Sequence, residues 1–144
     1  MNKQLALKIS SIVLLLAGIM DIWRGFVHTF QVKYAIINGA GIEPNSDNLV
    51  LMGAFGISNF LTGFIYILIV WKAKKIIPYV LLLIPVSYCI GRLGLQYSNV
   101  LIDPNKFKGQ YIMSVYLGIC VITVIFYFFI TIINKQKDKD SYVE

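Results

Sequence analysis

The stretch from Ile9 to Phe30 reads ISSIVLLLAGIMDIWRGFVHTF. An α-helix rises about 1.5 Å per residue, so roughly 20 apolar residues carry a chain across a hydrocarbon core of about 30 Å. This stretch is long enough, and its ionisable residues, Asp21, Arg24 and His28, are confined to its second half. Further stretches of the same kind lie at 49–71, 76–97 and 111–133. The sequence therefore predicts an all-α protein, an integral membrane four-helix antiparallel bundle that occupies 1–144 as a single four-span transmembrane domain.

The composition of the whole chain agrees with this reading. Its 144 residues are 58% hydrophobic and 14% charged, with a mean hydropathy of +0.73. A soluble domain carries about 25% charged residues. A water-soluble fold of this size buries only about two-thirds of its unfolded surface, too little to hide so much apolar material, and lipid must be the solvent for much of it. The net charge of +6 would raise the question of nucleic acid in a soluble chain. Here most lysines sit in short clusters between apolar runs, a membrane-topology pattern, and no nucleic-acid partner is expected.

The connections are unequal. Residues 31–48 and 98–110 hold turn-formers, among them Gly39, Gly41, Pro44, Asp103, Pro104 and Gly109, whereas 72–75 is only Lys-Ala-Lys-Lys, which predicts a tight hairpin between the second and third spans. Eight lysines (Lys3, Lys8, Lys72, Lys74, Lys75, Lys135, Lys137 and Lys139) fall on one side, and three (Lys33, Lys106 and Lys108) on the other. That excess places both termini in the cytoplasm, with 134–144 a short polar cytoplasmic tail. Lys3 and Lys8 before an apolar run also fit a signal peptide, but Asp21-Ile22-Trp23-Arg24 follows with no small-x-small cleavage pair, so the first span is read as retained. The sequence holds no Asn-x-Ser/Thr acceptor, in keeping with a prokaryotic cytoplasmic membrane.

Ionisable groups at membrane depth cost about 3 kcal/mol or more, and usually face protein or a water-filled cavity. Asp21, Arg24 and His28 are three and four residues apart and share one helical face. Measured from Ile9, Asp21 lies about 18 Å deep and Arg24 about 22 Å. On the third span Arg92 lies about 24 Å in and Gln96 about 30 Å. Asn59 falls near the midplane and Tyr116 about 8 Å from the outer edge. All these levels are central or outer, which predicts a polar pocket open to the extracytoplasmic side, formed by Asp21, Arg24, His28, Asn59, Arg92, Gln96 and Tyr116. Two arginines against one aspartate leave a positive balance that suits an anion or an electron-rich head group.

On this reading Arg24 and Arg92 hold the head of a small anionic or polar-headed molecule, such as a lipid, fatty acid or quinone. Asp21 orients Arg24, and His28, Asn59, Gln96 and Tyr116 supply hydrogen bonds. A purely structural account has the arginines snorkelling to outer phosphates and Asn59 tying helices together. A second account makes the chain an accessory or scaffold subunit without a ligand, whose small-residue faces, with Gly53, Gly56 and Gly63 on the second span, pack against a membrane-protein partner or a second copy. A third account makes Asp21 and His28 an acid–base pair of a membrane enzyme.

Other chemistries lack their residues. Glu43 and Glu144 lie outside the spans, so no membrane glutamate is available for cation exchange. Cys89 and Cys120 stand on different spans with no C-x-x-C; each reads as a buried small hydrophobe, and no metal or cofactor is expected. Pro85 inside the third span predicts a kink.

Overall fold

The computed structural model describes residues 3–99 and 109–140. Most of the connection expected at 98–110, and the end of the tail beyond 140, lie outside the described residues. What is described is helical, without a strand: α1 (Lys3–Phe30), α2 (Val32–Tyr34), α3 (Ser46–Lys72), α4 (Ile77–Tyr97) and α5 (Gly109–Asp140). Even α4, at 21 residues, is about 30 Å long. The four long helices are apolar and long enough to cross a bilayer, as in a membrane-embedded protein.

Helix α1 is the hub. Its buried residues, Ala6, Ser10, Leu14, Ala17, Gly18, Asp21 and Gly25, recur at three- and four-residue spacing and so form one stripe along the helix. Helix α3 packs on α1 more extensively than any other pair, and α5 and α4 also pack on α1 and on each other. Among the described residues α3 makes no comparable contact with α4 or α5, which differs from the tight hairpin expected between the second and third spans. The reason is the glycines. Gly63 and Gly56 of α3, with Gly18 of α1, bring the α1 and α3 backbones so close that an added Cβ would meet backbone or Cβ atoms of the other helix within 3.0 Å. That close approach draws α3 to α1 rather than to its chain neighbour.

The apolar core lies where α4 begins. Leu14, Ile77, Leu81, Cys120 and Val124 are buried together, with Tyr66, Ile69 and Val70 of α3 against them. Ile77→Val, which removes one methylene from a side chain with no exposed surface, is expected to cost about 1 kcal/mol, read as a shift in the unfolding midpoint in detergent. Pro78 sits in the first turn of α4, where its missing N–H has no intrahelical partner to lose. The helix continues through Pro85 to Tyr97. From Gly91 onward every described α4 residue is exposed, and Cys89, expected to be buried, is exposed as well.

The connection at 31–48 holds more structure than its turn-formers suggest. After α2 the chain makes a π-helical turn, Ala35–Ala40, that buries Ala35, Ile36 and Ala40. Gly41, at φ 66°, ends it in the left-handed region, where glycine has no Cβ to clash. The Asn45 side chain then accepts from the Asn48 N–H at 2.8 Å and caps α3. At the other end of the chain, α5 runs past Ile133 to Asp140, so the polar stretch that opens the expected tail continues the helix, with no Gly or Pro to interrupt it.

Candidate functional site

Where α1 leaves the core it carries Met20, Asp21, Trp23, Arg24, Val27 and His28 into the wall of a cavity of about 560 Å³. Helix α3 adds Met52 and Phe55, α4 adds Tyr88, and α5 adds Gly109, Ile112, Met113 and Tyr116. The π-helical turn closes one side with Ala35, Gly39 and Ala40. The wall is apolar for most of its extent, with a few polar groups gathered on α1 and α5, which is the usual make-up of a small-molecule pocket.

The polar groups are tied in two sets. Asp21 is 5% exposed, and its Oδ1 accepts from Arg24 Nη1 at 3.3 Å across one helical turn. The Arg24 guanidinium lies 5.7 Å from the centre of the Phe55 ring, close enough for the ring face to attract its charge. In the second set, Asn59 Nδ2 lies 3.0 Å from His28 Nδ1. An amide nitrogen only donates, so Nδ1 is the acceptor and the ring proton is on Nε2. The His28 ring packs 5.2 Å from that of Phe55. Asn59 itself is 7% exposed and stands behind His28 rather than in the wall.

The structure thus brings Asp21, Arg24, His28 and Tyr116 to one cavity and places Asn59 in support. Arg92 and Gln96 are exposed and lie outside the wall. The residue of α4 that does reach the cavity is Tyr88, one turn before Arg92 on the same helical face. Phe55, which touches both His28 and Arg24, carries no polar atom and gave no signal in the sequence. The three wall methionines, Met20, Met52 and Met113, are likewise silent in sequence, because nothing distinguishes a lipid-facing Met from a cavity-facing one until the helices are packed. Compared with known proteins, the chain matches no protein-family model, no curated protein and no solved structure.

Proposed function

We propose that the chain spans a prokaryotic cytoplasmic membrane four times as an antiparallel bundle, with both termini cytoplasmic, and that its cavity binds a small anionic or polar-headed amphipathic molecule. The lysine excess at one set of helix ends supports the orientation, which puts the cavity in the outer half of the bilayer. The observation that carries the binding reading is the cavity itself: an apolar wall on which the Asp21–Arg24 pair and His28 converge. An apolar body fills such a wall, and the convergent groups fix the head.

Arg24 and Arg92 now have different expected roles, and this supplies the test. Native mass spectrometry of the detergent-purified protein is expected to show a retained small molecule that Arg24→Gln loses, with occupancy down about tenfold or more. Arg92→Gln, away from the cavity wall, should keep it. A bare mass in the unaltered protein, identical in both variants, would overturn the binding reading.

An accessory role has one observation in its favour, the exposed outer end of α4 from Gly91, where an added Cβ on Gly91 or Gly94 meets nothing within 4 Å. Under that reading a membrane partner co-purifies with the chain, is lost with Gly91→Leu and survives Arg24→Gln. An acid–base enzyme is less well served by the geometry. Asp21 is held by Arg24 and His28 by Asn59, so a proton would pass between them only through a substrate.

A further inference from the structure

The cavity offers more hydrogen-bond donors than acceptors, and its charges cancel. Arg24 carries five N–H groups, of which one is engaged with Asp21. His28, with Nδ1 accepting from Asn59, is uncharged and presents Nε2–H, which has no partner among the described residues. Asp21 and Arg24 offset each other at 3.3 Å, so the described wall is formally neutral. The head it suits is therefore an acceptor. An anionic head also accepts, but it would leave the cluster with a net negative charge in a low-dielectric site, beside the buried Asp21 carboxylate, and its desolvation would go uncompensated. A carbonyl oxygen accepts the same bonds without that cost.

The rest of the wall describes the body of the occupant. Trp23, Phe55 and Tyr88 present aromatic rings and Met20, Met52 and Met113 present thioethers; both favour contact with a flat ring, the first by stacking and the second by sulfur–aromatic contact. The volume of about 560 Å³ falls within the range of pockets for single drug-sized molecules. We infer that the occupant is an uncharged, flat ring carbonyl compound of the quinone class, its carbonyl oxygen accepting from the N–H groups of His28 and Arg24. This inference rests on the binding reading above and narrows it.

Trp23 in the wall is a built-in reporter. The other tryptophan of the chain, Trp71, lies outside the wall, so Trp71→Phe leaves Trp23 as the only indole. In detergent this full-length variant is titrated with two probes sharing a ten-carbon tail, a decyl-substituted benzoquinone and decanoate, with displacement of one by the other as a second readout. The quinone is expected to saturate Trp23 quenching and to bind at least about tenfold more tightly than decanoate. His28→Phe should remove about that much of its affinity. If decanoate binds as tightly as the quinone or more so, the ligand class is overturned while the cavity reading stands. If neither probe gives a saturable, displaceable signal, the cavity reading falls and this inference with it. The two-probe comparison uses the unaltered wall and does not depend on the His28 variant folding.

Discussion

Asp21→Leu is expected to cost about 3 kcal/mol of stability. The carboxylate is 5% exposed and is the only one that Arg24 contacts among the described residues, so removing it leaves a guanidinium whose side chain is 26% exposed facing an apolar wall without a counter-charge. Losing one partner of a buried pair is far worse than losing both, because the desolvated charge is left behind. The double variant Asp21→Leu/Arg24→Met should therefore regain most of the loss. It should also be empty of ligand, which separates the contribution of the pair to folding from its role in binding. Unfolding of the single and double variants in mixed micelles, followed by circular dichroism, reads the coupling. Additive effects below about 1 kcal/mol would mean that the pair is solvated and does not organise the site.

Gly63→Ala should be nearly as damaging, at about 2–3 kcal/mol, although it adds a single methyl to a helix and improves intrinsic propensity. Its Cβ would lie 2.7 Å from the Gly18 carbonyl oxygen and 2.7 Å from Ile22 Cγ1, and the first of these belongs to a helix backbone that has no rotamer to change. The helices must move apart. One helix level further along, the His28–Asn59 bond joins the same two helices at 3.0 Å, and Gly56 faces the His28 backbone beside Thr29. A spread at Gly63 is therefore expected to loosen the imidazole and weaken ligand retention as well as stability. Gly53→Ala is the control: nothing lies within 4 Å of its added Cβ, and it should be neutral or stabilising by up to about 1 kcal/mol. Equal losses at Gly53 and Gly63 would show that the α1–α3 approach does not set the cost, because propensity favours alanine at both positions.

These two expectations bring together features of different origin. The pairing of Asp21 with Arg24 and the grouping of both with His28 were legible in the sequence, because three- and four-residue spacing on one helix fixes a shared face without reference to any other helix. The link of Asn59 to His28 was not foreseen, because a level near the midplane sets Asn59 closer to Asp21 than to His28. Making it a bond required α3 to lie against α1, which the spacing of Gly56 and Gly63 hinted at but did not assign to a partner. Arg92 shows where the same reasoning stops. Its depth matched that of Arg24, yet depth fixes only the coordinate along the membrane normal, and whether two helices at one depth meet depends on their rotation and tilt. In the structure the C-terminal end of α4 is exposed, and Tyr88 rather than Arg92 reaches the cavity.

The amino-acid order alone determined the helical class, the approximate extent of the four long apolar helices and the set of charges on α1. All of these follow from local quantities: the transfer cost of each residue, the length that crosses a bilayer and the period of a helix. Only the tertiary structure decided which helices touch, that a π-helical turn folds in to close the cavity, that Phe55 and three methionines line it, and that its charges balance. Those outcomes depend on how glycine-thinned surfaces fit one another across the chain, and no window of neighbouring residues contains that information.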